Sequence, residues 1–444
     1  MKKLQIYFGL LLSTVGFAQV GHIMQGIGAT NMSMGGAATA QPLSTSGALY
    51  WNPAAVSTFD GKILSVDAGI FFSSPELSSE VSMSGTTLKG TTEDEKSPSI
   101  MPALSFVYGK ENSKHTFGVS MFGVSGFGVD FPAEANNPAS TTFNPAINSN
   151  PILYPQNPVG FGGFGNVASN YMLMQIGFTY AYNITEKFAI GINPIINYSA
   201  LELEPNPLAS PDIPKGYPKS NNASAMGYGA QFGLFYGGKE GFKAGISYKT
   251  EQNFKAFEFE NTYLDGSKAP DVTFQMDYPA ILSFGIGYSH KKFDFALDYR
   301  MIDYENTDGF TAKGWTQTAS VKGFGWENIS VLSAGVQLNM VEKLPIRLGY
   351  TYSGNPINSE LAFFSIPATA VIENAYQIGL GYEFNKKITL NTVFHYGTSN
   401  GATQGTMLNP MMVSATNPYG AVPGSKVSYE MTTSMLQFGL DYRF

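Results

Sequence analysis

Read back from the C-terminus, every second residue is bulky and apolar: Phe444, Tyr442, Leu440, Phe438 and Leu436. Between them lie Arg443, Asp441, Gly439 and Gln437, all small or polar. A period of two puts the two sets on opposite faces of a β-strand. The same alternation recurs along the chain. It predicts fourteen strands, near 62–72, 100–109, 115–127, 170–183, 187–203, 223–237, 241–256, 274–289, 292–305, 327–341, 344–354, 373–385, 387–398 and 428–444. In the fourth, Met172, Met174, Ile176, Phe178, Tyr180 and Tyr182 share one face, opposite Gln175, Gly177, Thr179 and Asn183.

The connections alternate in length. Short turns at 110–114, 184–186, 238–240, 290–291, 342–343 and 386 follow long loops at 73–99, 128–169, 204–222, 257–273, 306–326, 355–372 and 399–427. Apolar-side aromatics collect beside the short turns, as in the pairs Tyr236 and Phe242, Tyr288 and Phe293, and Tyr442 and Phe444. Short turns, long loops and an aromatic girdle are the pattern of a transmembrane antiparallel β-barrel, with both chain ends at the periplasmic, short-turn side. A closed barrel also leaves no unpaired strand edge in lipid. A soluble sandwich would have no reason to gather aromatics at one end of its strands.

Composition sharpens this reading. Aromatic residues make up 14% of the chain and charged residues only 13%, against about 25% charged in a soluble domain. Residues 1–18 read as a signal peptide: Lys2 and Lys3, an apolar stretch from Leu4 to Phe17, and small Gly16 and Ala18 before a cut ahead of Gln19. No later apolar run is long enough for a spanning helix. Cysteine is absent, which excludes disulfides and thiol chemistry. The net charge of −7 becomes more negative once Lys2 and Lys3 leave, which argues against a nucleic-acid partner.

Residues 19–61 do not alternate. They are small and Gly-rich, with Gly35-Gly36-Ala37 and then Trp51-Asn52-Pro53-Ala54. Pro53 disfavours a central strand, and the segment is too apolar for a disordered tail. The place left for it is inside the barrel, as a plug or hatch, with 62–444 forming the wall.

Here the chain resembles a known family. "MGGAATA…GALYWNPAAVSTF" is similar to the N-terminal hatch of the FadL/TodX/OMPP1 transporters of hydrophobic compounds. "FGVSMFGVSGFGVDFP", "YPAILSFGIGY", "PIRLGYTYSGNPI" and the closing "DYRF" stand in the family's order. The resemblance implies passive uptake of long-chain fatty acids or other apolar molecules. Outer loops would capture the ligand, a pocket in the bore would hold it, the hatch would shift, and exit would be sideways beside a kinked third strand. Related barrels of the type IX secretion system share this hatch style and bind exported proteins, so that alternative stays open beside transport.

The residues offer candidates for each part. Loop 128–169 is apolar for a surface loop, and Phe143, Ile152, Leu153, Tyr154, Phe161 and Phe164 are candidate ligand contacts. Gly123, Gly126 and Gly128 are candidates for the kink. Arg300, Arg347 and Arg443 are predicted to face the bore with Asp298, Glu383 and Asp441; an Arg347–Glu383 pair is expected, and Arg300 could meet a carboxylate head group or serve a structural salt bridge. The bland reading of these charges is a set of lumen salt bridges.

No nucleophile elbow and no zinc-binding spacing is present, so neither an enzyme nor a metal or other cofactor is expected. Gly160–Gly165 matches a dinucleotide motif by chance, because no strand–turn–helix surrounds it. Expected partners are an apolar small molecule, outer-membrane lipid and lipopolysaccharide, and the barrel assembly machinery through Phe444; the barrel is expected to act as a monomer.

Overall fold

The computed structural model describes residues 21–83, 85–110, 113–156 and 162–444. The expected signal peptide and Phe161 lie outside them. Fourteen strands form the wall: β1 Gly61–Met83, β2 Ser99–Gly109, β3 His115–Phe131, β4 Val167–Asn183, β5 Phe188–Glu204, β6 Ala223–Tyr236 and β7 Gly241–Lys249. β8 Ala280–His290, β9 Phe293–Asp303, β10 Ile329–Leu338, β11 Ile346–Ser353, β12 Asn374–Glu383, β13 Ile388–Thr398 and β14 Ser425–Arg443 complete it. Each strand is antiparallel to the next, and β1 closes on β14 from Ile63↔Arg443 to Val81↔Ser425. The result is a closed, all-β antiparallel barrel.

Its burial is inverted relative to a soluble protein. Inward Gln175 and Gln231 are buried, whereas outward Phe178 and Phe232 are about half exposed. A polar interior and an apolar exterior suit a wall surrounded by lipid. At the short-turn end the outward aromatics touch one another: Tyr382 and Phe384 lie 4.8 Å apart, and Tyr442 and Phe444 4.9 Å.

Two regions differ from the sequence reading. The 73–99 loop is largely strand: β1 runs on to Met83 and turns back as Thr86–Glu93, paired from Glu76↔Glu93 to Met83↔Thr86. Its outward positions there are Ser74, Glu76, Ser78 and Glu80, because the hairpin has left the hydrocarbon and no longer needs apolar residues outside. Near residue 250, β7 ends at Lys249 and β8 starts only at Ala280. Phe257–Thr262 and Lys268–Phe274 form a separate hairpin, with Phe257 and Phe259 buried beneath it.

Residues 21–60 fill the bore. Two helices, α1 Ala29–Met32 and α2 Thr45–Trp51, are followed by a 3₁₀ helix over Pro53–Thr58. The Asn-Pro-Ala sequence has a local cause. The Asn52 carboxamide oxygen accepts the Ala54 N–H at 3.0 Å, capping the 3₁₀ helix, and Pro53 takes its first position, where an N–H would be wasted. The Asn52 amide then reaches the carbonyls of Thr39 and of Leu234 on the wall.

Candidate functional site

The hatch is held by wall side chains that satisfy its backbone. On β9, Asp298 accepts the N–H groups of Ala38 and Thr39, each at 2.9 Å, and the Thr39 hydroxyl at 2.7 Å. On β1, Asp67 accepts the Ala29 N–H at 2.8 Å, at the start of α1. Gln231 donates to the carbonyls of Tyr50 and Trp51, and the Thr351 hydroxyl donates to the Gly35 carbonyl. Gly35 and Gly36 have φ of 67° and 78°, which only glycine adopts cheaply. Ala37 is buried beside Ala296.

Arg300 belongs to this anchoring and lies under the hatch. It is fully buried, pairs with Asp298 at 2.6 Å, and donates to the Gly36 carbonyl at 2.7 Å and to Ser333 at 3.1 Å. Its Cζ sits 3.6 Å from the centre of the Trp51 ring. The guanidinium therefore has a carboxylate, a carbonyl and an aromatic face, and it lines none of the cavities described below. Arg347 bonds to Gln337 and Asn391, and Asn391 in turn to Asp441. The described ion pairs do not include an Arg347–Glu383 bridge: Glu383 and Arg443 are exposed at the short-turn rim, so polar amides take the place of the expected carboxylate.

The wall is interrupted between β2 and β3. Their pairing stops at Ala103↔Phe122. Yet β2 stays paired with β1 up to Phe71↔Ser99, and β3 with β4 up to Phe131↔Val167. Two local features separate the strands. Pro102 has no N–H to give the ladder. β3 carries a bulge between Gly123 and Ser125, so that Val124 is an extra residue and the inward face switches from even to odd positions. Below the bulge Phe122 is buried; above it Phe127 turns in and stacks on Tyr171 at 4.9 Å. Of the glycine candidates, Gly123 borders the bulge, and Gly126 and Gly128 line the opening beyond it.

A cavity of about 270 Å³ occupies this opening. Phe71, Ile100 and Met101 line one side, Gly126, Phe127 and Met172 the other, with His22 and Met24 behind. Ile100 and Met172 are outward residues of the wall, so the cavity reaches the lipid-facing surface. The first hatch residues cover it from within. Ile23 bridges to Ser125, the Met24 N–H bonds Val124 at 2.9 Å, and the Gly126 N–H bonds His22 at 3.1 Å. Six aromatic rings surround the His22 imidazole: Phe127, Tyr171, Tyr278, Tyr304, Phe310 and Trp326. Burial pushes its pKa down to about 3, so the ring is neutral. Lys96 crosses the top of the opening and donates to the Ser169 carbonyl at 3.0 Å.

A second, larger groove of about 670 Å³ lies among the long loops. Ile152 and Phe164 line it, with Tyr217, Trp315, Phe363 and Met407 from other loops. Leu153 and Tyr154 are buried next to it, while Phe143 stands apart on the half-exposed part of its loop. Between groove and lateral cavity runs the segment Ser359–Ala368 and its continuation: Phe363 faces the groove, whereas Thr369 and Ala370 line the cavity. Sequence reasoning missed Pro102, His22, Lys96 and this partition. The apolar run Leu361–Phe364 within a long loop was the signal for the last.

Comparisons with known proteins agree with this architecture. Residues 161–444 match the family model described as outer membrane protein transport protein (OMPP1/FadL/TodX). No curated protein matches in sequence. Among solved structures, the Pseudomonas putida toluene transporter TodX aligns over 95% of this chain and 99% of its own, at 16% identity and a TM-score of 0.67. A Pseudomonas aeruginosa FadL homologue covers 96% of this chain and 100% of its own, at 11% identity and a TM-score of 0.70. The Ralstonia pickettii toluene transporter TbuX covers 95% and 99%, at 16% identity and a TM-score of 0.59. With the family match spanning most of the wall, the chain belongs to the OMPP1/FadL/TodX family of outer-membrane transporters of hydrophobic compounds.

Proposed function

We propose that this barrel takes up apolar molecules by diffusion, capturing them in the long-loop groove and releasing them sideways into the membrane between β2 and β3. The single observation that carries this reading is the loss of β2–β3 pairing beyond Ala103↔Phe122, with an apolar cavity behind the break that reaches the lipid-facing surface. A ligand leaving there never has to pass the body of the hatch from Ala29 on, whose backbone is tied to the wall at Asp67, Asp298 and Arg300. The route needs two movements: displacement of 359–370 between groove and cavity, and of His22–Met24 from the β3 edge. Both segments make local contacts that can exchange without opening the barrel. In this orientation the short turns and both termini face the periplasm.

Filling the opening tests the proposal. Ser99→Trp puts a large ring at the rim of the cavity, which none of the wall anchors Asp67, Asp298 and Arg300 lines. Uptake of a radiolabelled alkylbenzene by cells producing the variant should fall by about tenfold, while the folded barrel reaches the outer membrane in normal amount. Undiminished uptake would contradict lateral release.

A further inference from the structure

The charges along this route point to one class of ligand. The groove is built from apolar side chains, and the only charged group among its described lining residues is Asp212. Among the described residues lining the lateral cavity the one cation is Lys96, and the carboxylates of Asp94, Asp130 and Glu202 lie near enough to act on it electrostatically. Directly above, the register sets Glu93, Glu76 and Glu430 side by side across three strands. Met431 lines both the lateral cavity and the acidic recess that holds this row. The buried cations deeper in the bore are engaged as well. Arg300 is paired with Asp298, and the Lys249 ammonium lies 4.0 Å from the centre of the Tyr50 ring, under the hatch.

We infer that the transported ligand is an uncharged hydrophobe, and that carboxylates such as fatty-acid anions are selected against. An anion would give up its hydration in a groove whose described lining holds no cation to replace it. It would then meet a net negative potential at the exit, which lowers both its encounter rate and its occupancy. A neutral molecule of the same shape meets neither obstacle. This rests on the transport reading above and narrows its substrate.

The test uses the full-length barrel in a non-ionic detergent and two probes of equal chain length, dodecanol and dodecanoate, at pH 8. Trp315 lines the groove and reports binding by fluorescence. Dodecanol should bind about tenfold more tightly than dodecanoate at low salt, and the ratio should shrink as salt rises. The double variant Asp94→Asn, Glu202→Gln should move the ratio toward one. Equal or tighter binding of dodecanoate by the wild type would overturn the inference and leave transport standing. Failure of both probes to bind a barrel that retains its heat-modifiable gel mobility would overturn the transport reading too.

Discussion

The Arg300 guanidinium lies over the Trp51 ring, its Cζ 3.6 Å from the ring centre, while it also holds Asp298 and the Gly36 carbonyl. One wall residue thus grips two halves of the hatch sequence, the glycine pair and the Trp-Asn-Pro-Ala run, at a single point in the bore. The stacking fixes the hatch laterally and the hydrogen bonds fix it in depth.

Arg300→Ala should therefore release the hatch and leave the Asp298 carboxylate buried without its cation. Breaking a buried pair in this way costs about 3–5 kcal/mol. Planar-bilayer recordings should show a leak conductance that the wild type lacks. Arg300→Lys should leak as well, since an ammonium cannot stack on Trp51 and reach both oxygens at once.

Asn52→Ala removes the 3₁₀ cap and strands the carbonyls of Thr39 and Leu234. A lost cap alone costs about 1 kcal/mol. The expected result is faster hydrogen exchange over 45–58 with little change in the barrel strands, read by mass spectrometry.

The hatch backbone approaches the wall so closely that some wall positions admit no side chain. A Cβ at Gly245 would lie 2.1 Å from the Thr39 carbonyl oxygen, and one at Gly349 would lie 2.2 Å from the Gly35 nitrogen. Gly349→Val should expel the hatch and raise conductance. Its barrel should still show the band shift of a folded, unheated protein. Unchanged conductance would mean that the hatch does not rest there.

His22 makes the docking of the N-terminal segment dependent on pH. Its pKa falls from 6.5 free to about 3 docked, because burial disfavours the cation. The ionisable groups against the ring are Tyr171, Tyr278 and Tyr304, none of which offers a negative charge at neutral pH. The undocked segment thus binds the extra proton, so docking is intact above pH 6.5. It weakens as pH falls, by about 1.4 kcal/mol per unit, until the docked ring itself protonates near pH 3. Trp326, 5.8 Å from the imidazole, should report the change in its fluorescence between pH 7 and pH 4. His22→Gln should abolish it.

The wall was legible in the sequence because lipid imposes an outward apolar face on every strand, so Phe178, Phe232 and Phe438 mark their segments without ambiguity. Legibility failed where that constraint ends. Above the bilayer, Glu76 and Glu80 continue β1 with polar residues outside, and the strand reads as a loop. The hatch could be recognised as plug-like from its small residues, but its partners lie hundreds of positions away. Nothing local distinguishes an Arg300 that holds Gly36 from one that waits for a ligand. Nothing in the sequence marks Gly245 and Gly349 on the inward face as seats for hatch backbone. The β2–β3 break was only half visible, as glycines in β3, because Pro102 supplies the other half from the neighbouring strand.

A photoreactive alkylbenzene, activated on whole cells and mapped by mass spectrometry, tests lateral release most directly. Adducts on Ile100, Met101, Tyr171 and Met172 at the β2–β3 opening, with none on Gln41 or Asp294 at the short-turn side of the hatch, are the predicted result. Labelling that continues through the hatch to Gln41 and Asp294 would show a straight passage along the bore and contradict it.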